Sequence, residues 1–430
     1  MNIVENSKRR KKIAIVGTGI SGLTCAHILS QKHELTVFEA NDYIGGHTAT
    51  VDVNVDGKDY AIDTGFIVFN DRTYPRFEQL LARLNVTALA TEMSFSVHNA
   101  NTGLEYNGNT ISSLFAQKRN LFRPKFWSFI LEILRFNKLC KQAFAADSYQ
   151  YQTLGELLDS QGFSDFFSEH YILPMGAAIW SSSIDDMRAF SLRFFIQFFE
   201  NHGLLNIADR PQWYVLEGGS RSYIPDLIAP FKDSIHLSSP VTAIKRSIGS
   251  ETGGVQLQVN QGEWQTFDEV ILACHSDQAL AMLQDATDDE QQVLSKLAYQ
   301  NNEVVLHTDE SLMPKRQAAW ASWNYRLDGN TQRQASVTYN MNILQRLPAG
   351  TPTFCVTLNQ SELISPGKVL RTFNYAHPVF NEQSLQAQSQ RALISGVNHT
   401  HYAGAYWYNG FHEDGVHSAF DVCEAFGMRL

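Results

Sequence analysis

KKIAIVGTGISGLTCAHILSQKHELTVFEA, residues 11–40, is the stretch from which the fold can be read. Ile13–Val16 is a short apolar run rich in β-branched residues, the pattern of a buried parallel strand. Gly17, Gly19 and Gly22 follow as G-x-G-x-x-G, with Ile20 and Ser21 in the same turn. Leu23–Ser30 reads as helix and Thr36–Phe38 as a second strand closed by Glu39. Gly17 permits a tight turn, and Gly19 lets backbone approach a pyrophosphate at the helix N-terminus. Gly22 lets helix and strand pack closely. Glu39 is placed to accept hydrogen bonds from an unphosphorylated ribose. Turn glycines are common; the order strand, triplet, helix, strand, acid is what carries a dinucleotide site.

The next segment, EANDYIGGHTAT, runs from Glu39 and Ala40 through Gly45, Gly46, His47 and Thr48. Here the chain resembles the flavoprotein superfamily of amine oxidases and phytoene desaturases, which implies FAD. That family follows its ribose acid with Gly-Gly-Arg, and His47 stands in place of the arginine. AIDTGFIVF, with Thr64 and Gly65, resembles the family's strand beside the flavin. SSPVTAIKR puts Val241 at the adenine-side strand, and FDEVILACH ends a returning strand at Ala273. HYAGAYWYNGFHEDGVHSAF resembles the C-terminal flavin motif, with Tyr402–Gly404 as last strand and Gly415 opening a closing helix that includes Val416. The family's acid after the strand-end glycine is Ala405 here, so Glu413 or Asp414 stands in. Members with covalent flavin use a cysteine upstream of this motif; residues 356–422 contain none, so the resemblance implies non-covalent FAD.

The resemblance touches both ends and the middle of the chain. It implies an α/β architecture in which a Rossmann-type FAD domain (1–75, 205–290 and 396–430) is interleaved with an α+β substrate domain (76–204 and 291–395). Residues 110–204 are expected to be mostly helical. Glu303–His307, Ser336–Asn342 and Phe354–Thr357 read as strands of its floor. No second G-x-G-x-x-G occurs, so no nicotinamide domain is expected.

The 430 residues carry a net charge of −10, which excludes a general nucleic-acid partner. Aromatics reach 12%, including 27 Phe, enough for a large apolar core or a large apolar ligand. Five dispersed cysteines indicate neither a disulfide framework nor a metal site. The N-terminus MNIVENSKRRKK lacks a signal peptide's apolar core, and no transmembrane run occurs. A cytoplasmic protein is expected, peripheral at the inner face of the membrane. The basis for that contact is residues 118–141, which sum to +6 and include RPKFWSFILEILRFNKLCK, an apolar helix with a narrow polar stripe at Lys125, Ser128, Glu132 and Arg135. Packing inside the substrate domain explains the same pattern equally well. No feature specifies an oligomeric state.

Amine oxidases of this family keep a lysine near flavin N5, on the strand that here reads NNEVVLHTD with Asn302-Glu303. The stripe Phe190, Phe194, Phe195, Phe198 and Phe199 fits an apolar substrate or plain core. The further motifs NHGLL, EGGSRSY and GFHEDG resemble a bacterial subgroup with members acting on unsaturated fatty acyl chains. The resemblance therefore implies hydride removal from an apolar acyl C–H, by desaturation or double-bond isomerisation, with His202, His412 and Glu413 as candidate catalytic residues. Amine oxidation is the alternative. A prenyl- or lipid-binding protein like the GDP-dissociation inhibitors, without flavin chemistry, is an alternative of another class.

Overall fold

The computed structural model describes residues 10–247 and 253–430. The signal-peptide expectation falls largely on residues 1–9, outside the described residues. Five helices matter to the site: α1 (Ile20–Leu29), α2 (Pro75–Leu84), α3 (Pro124–Ala145), α4 (Leu192–Asn201) and α5 (His412–Ala425).

A five-stranded sheet runs in the order Ile235–His236, Glu34–Phe38, Lys12–Val16, Glu269–Leu272, Thr400–Tyr402, with every neighbouring pair parallel. Its strands come from four distant stretches of chain. The central strand is buried on both sides, and its side chains alternate between two layers. Ile13 and Ile15 join the core of α1 and α5, whereas Ala14 and Val16 join the core of the small sheet Val241–Arg246, Val255–Val259, Trp264–Phe267. Arg246 of that small sheet bonds Glu290 through both Nη atoms and Asp285 through Nε at 2.9 Å. Tyr402 of the last parallel strand donates to the same Glu290 at 2.6 Å.

The other large unit is a seven-stranded sheet ordered Val369–Pro378, Tyr299–His307, Cys355–Leu358, Val337–Asn340, Trp323–Leu327, Phe95–Asn99, Glu105–Asn107. Only the pairing of Trp323–Leu327 with Phe95–Asn99 is parallel. Helices between residues 111 and 201, α3 and α4 among them, pack against its Phe95 and Tyr325 side.

Two boundaries differ from expectation. The last strand is Thr400–Tyr402, so Gly404 lies beyond it, where its N–H donates to Ser418 Oγ at 2.8 Å. The closing helix begins at His412, not Gly415, because the Asp414 carboxylate reaches back to the Phe411 N–H at 2.8 Å. Among the described residues no helix is long and apolar enough to cross a membrane, and no His/Cys/Asp/Glu group could hold a metal.

Candidate flavin site

The glycine triplet builds a close joint between strand and helix. Gly17 has φ +105°, and a Cβ there would stand 2.7 Å from Ala273 O. A Cβ on Gly22 would meet Gly17 O at 2.0 Å. Gly19 is the opposite case: a Cβ there would have no neighbour within 4 Å. Gly19 is the N-cap of α1 and supplies no side-chain cap, so the first N–H groups of the helix are presented at an open position. Gly46 closes the other side, with its absent Cβ 3.2 Å from Gly19 Cα. Ile20 and Ser21 are turned toward the closing helix; Ser21 Oγ donates to Gly415 O at 3.0 Å, and a Cβ on Gly415 would lie 2.6 Å from Ile20 Cγ2. Val416 is buried in the same core as Leu23.

Glu39 is buried and fully organised. Thr18 donates to its Oε2 through N–H and Oγ–H, at 2.9 and 2.6 Å. Asn41 donates to Oε1 through N–H and Nδ2, both at 2.9 Å. A ribose hydroxyl at Oε1 would displace the exchangeable Asn41 side chain. Ala40 beside it is exposed. The backbone is pinned by Ser239 N–H to Glu39 O at 2.8 Å, which places Val241 two residues from this contact. An uncapped helix end over an open glycine, flanked by an organised acid, fits the pyrophosphate and ribose of FAD.

Farther along, Thr64 Oγ1 and Tyr375 OH lie 2.9 Å apart, and Gly65 passes so close to His47 that a Cβ would meet His47 O at 2.2 Å. Around His47 gather Tyr375, His377 and His275, with ring centroids at 5.3, 5.7 and 6.3 Å. Loss of solvation, reinforced by the neighbouring histidines, lowers His47 to about 3 and His377 to about 4. His47 is therefore neutral at pH 7 and supplies no cation where the family has arginine. Its Nε2 is buried without a partner. Asn302 Nδ2, oriented by Gln300 O at 3.2 Å, donates to His377 Nδ1 at 3.1 Å. That contact leaves the His377 proton on Nε2. Asn302, at the position that the resemblance assigns to lysine, thus orients a neutral imidazole.

The three candidate catalytic residues sit in different settings. His412 stacks on Phe66 at 3.7 Å, and its Nε2 meets Tyr223 OH at 3.0 Å; that hydroxyl also meets Thr48 Oγ1 at 2.8 Å. Burial lowers His412 to about 3. Glu413 accepts from the N–H groups of Arg76 and Phe77, at 3.1 and 2.8 Å, and so occupies the N-terminus of α2. Both carboxylate oxygens are thereby engaged by the first turn of α2, and the Arg76 guanidinium lies 3.6 Å from Oε1. Asp414, as above, holds the start of α5. Burial raises both acids to about 7, against their backbone donors. His202 ends α4, with Nδ1 on Phe198 O at 2.9 Å and its ring stacked on Phe198 at 3.9 Å. It belongs to an aromatic wall: Trp180, Phe190, Phe194 and Phe198 continue into Phe380, 5.6 Å from Phe194, and Phe411, 5.2 Å from Phe198. His275, Tyr375 and His377 carry no sequence signal of their own beyond the motif ending ACH.

Residues 20–361 match the protein family described as flavin containing amine oxidoreductase. No curated protein sequence matches the chain. Among solved structures it is similar to cyclohexylamine oxidase from Brevibacterium oxydans IH-35A, with TM-score 0.69, 16% identity, and 97% of this chain and 99% of that one covered. A fatty acid isomerase from P. acnes that produces CLA gives TM-score 0.66, 16% identity and coverage of 96% and 98%. Putrescine oxidase gives TM-score 0.64, 14% identity and coverage of 97% and 98%. At these identities the likeness shows the fold.

Proposed function

This chain belongs to the flavin containing amine oxidoreductase family and is an FAD-dependent oxidoreductase; from that premise we propose that its substrate is an unsaturated fatty acyl chain. The observation that carries the proposal is the aromatic wall. It runs from Trp180 to Phe411, one residue before His412, whose ring lies on Phe66 beside Gly65. Trp180, Phe190, Phe198 and Phe380 are packed as core, and the partly exposed Phe194 and Phe411 give the wall an apolar edge that favours an apolar chain over a small cation. Electrostatics point the same way. The imidazoles around His47 are neutral, and the nearby acids Glu413 and Asp414 are engaged by backbone N–H groups. A protonated amine entering there would lose its hydration without gaining an anionic partner.

Bound FAD supplies the hydride acceptor. The protein's own residues place the acyl C–H, exclude water through the phenylalanines, and present His377 Nε2–H as an oriented neutral donor. An allylic C–H is the weakest on such a chain. Return of the hydride to another carbon of the allylic system gives isomerisation; its passage to an external acceptor, with loss of a proton from the neighbouring carbon to solvent, gives desaturation. Amine oxidation is the second reading, favoured by the fold shared with cyclohexylamine and putrescine oxidases and by the ability of aromatic walls to hold amines. Anaerobic mixing of the oxidised holoenzyme with unsaturated fatty acids, phospholipids and amines, with products analysed by mass spectrometry, separates the two. Turnover of an amine with every acyl lipid returned unchanged would overturn the acyl reading.

A further inference from the structure

The helix α3 exposes large apolar side chains in addition to the face it buries. Phe126, Phe129, Phe136 and Cys140 form its buried face. The polar stripe beside that face stays exposed at Lys125, Ser128 and Arg135 while it also leans on neighbouring chain. Glu132 accepts from Ser164 N–H and Oγ–H, both at 2.7 Å. The Arg135 guanidinium lies 4.0 Å over the Phe163 ring, and Lys125 Nζ 4.6 Å over Phe166. Large apolar side chains face outward beside it: Trp127, Leu131 and Leu134, spaced by four and three residues, are 46%, 64% and 41% exposed. Phe122, at 87%, and Ile111, at 80%, extend the patch at its N-terminal end.

Cations bracket this apolar strip. Lys118, Arg119 and Arg123 precede it and Lys138 follows it on the same helix face, all exposed. Beyond Leu134 the strip meets a surface groove of about 490 Å³ lined by Lys138, Lys141, Leu205 and Ile207. Asn137, 7% exposed, also lines the groove and has a buried Oδ1 without a partner.

We propose that this face docks the protein on an anionic phospholipid bilayer, with Trp127, Leu131 and Leu134 entering the interface and the flanking lysines and arginines meeting lipid phosphates. An apolar strip with cations at both ends matches the interfacial region of such a membrane, apolar below and anionic above. A second copy of the chain fits less well. A two-fold contact would set the same basic patch against itself. The docking surface is independent of the identity of the substrate.

Cosedimentation of the holoenzyme with vesicles of phosphatidylcholine, with and without phosphatidylglycerol, tests the proposal. Binding is expected only with phosphatidylglycerol, and weaker as salt rises. Each of Lys118→Gln, Arg123→Gln and Lys138→Gln should lower the partition coefficient about fivefold. The double variant Leu131→Glu, Leu134→Glu should abolish binding with flavin content and melting temperature unchanged, since both side chains are exposed. Wild-type protein remaining in the supernatant, or the double variant sedimenting like wild type, would overturn it. So would conversion of a dimer to a monomer by the double variant, which would assign the face to a second copy.

Discussion

Replacement of Gly19 by valine should remove FAD without harming the fold. The two effects separate because Gly19 is unlike the other glycines of its motif. Its backbone is extended, with φ −66° and ψ 174°, a conformation open to any residue. A Cβ there meets no protein atom within 4 Å, whereas one on Gly22 would lie 2.0 Å from a carbonyl oxygen. The melting temperature of the apoprotein should therefore stay near wild type, aided by about 0.5 kcal/mol from a less flexible unfolded chain. The pyrophosphate, by contrast, loses its approach to the uncapped end of α1. Two charge-assisted hydrogen bonds and the helix-end field together amount to about 4 kcal/mol, or ~1000-fold in affinity. Wild type with FAD at 100 times its Kd gains about 2.7 kcal/mol of stability; the variant at the same concentration should gain almost none. Apoprotein melting with and without FAD, beside a titration of flavin absorbance, reads both effects. Stoichiometric flavin in Gly19→Val would refute the placement of the pyrophosphate. Collapse of the apoprotein would refute the claim that Gly19 faces open space.

Acid precipitation of the holoenzyme should leave the flavin in the supernatant, and NADPH should bleach it slowly or not at all under anaerobic conditions; flavin retained in the pellet would contradict non-covalent binding. Glu290→Gln should cost about 1–3 kcal/mol in urea unfolding, because the fully buried Arg246 side chain keeps Asp285 but loses its second anion; a loss below about 0.5 kcal/mol would show that the second anion is dispensable. Stability should fall as pH drops from about 6.5 to about 4.5. His47, His202, His307, His377 and His412, held at about 3 to 4 by burial, take protons only in the unfolded chain across that range. Asp63, Glu413 and Asp414, raised to about 6 or 7, oppose them by binding protons in the folded state. Five groups against three leave about two protons, or about 2–3 kcal/mol per pH unit near pH 5.5; a urea midpoint at pH 5.5 equal to that at pH 7.5 would disprove the balance.

The dinucleotide half was legible because its determinants are local. Gly22 meets Gly17, and Glu39 meets Thr18, through contacts that strand, turn and helix impose on one another within thirty residues, whereas the close approach at Gly17 is to Ala273 and was read only from the motif. The closing helix was misplaced by three residues, although the signal was present: Asp414 three positions after Phe411 is the return half of a capping box. Glu413 shows a different limit. Its nearness to a flavin motif said nothing about where its carboxylate points, and the answer lies at Arg76 and Phe77, more than 330 residues away. The cluster of His47, His275 and His377 was invisible for the same reason. Its members come from a glycine-rich turn, the end of a parallel strand and an edge strand of the other sheet, and no spacing links them.

The exposed face of α3 was legible only in part, and its physics joins the local and global charge of the chain. Hydrophobic pattern alone could not say which stripe turns outward, because the helix is apolar on two sides. Residues 162–166 hold the polar stripe at the edge of the buried face, offering Glu132 two donors and Lys125 and Arg135 aromatic faces while both cations stay exposed. The strip of Trp127, Leu131 and Leu134 faces solvent beside it. Outside residues 118–141 the chain sums to −16. An anionic bilayer repels that remainder and attracts the basic segment, so the field orients the molecule before contact. Short-range burial of Trp127, Leu131 and Leu134 then holds it in the orientation that the field selected. Salt should therefore slow capture by the membrane more than it speeds release, since screening acts on the approach and leaves the buried apolar contact intact.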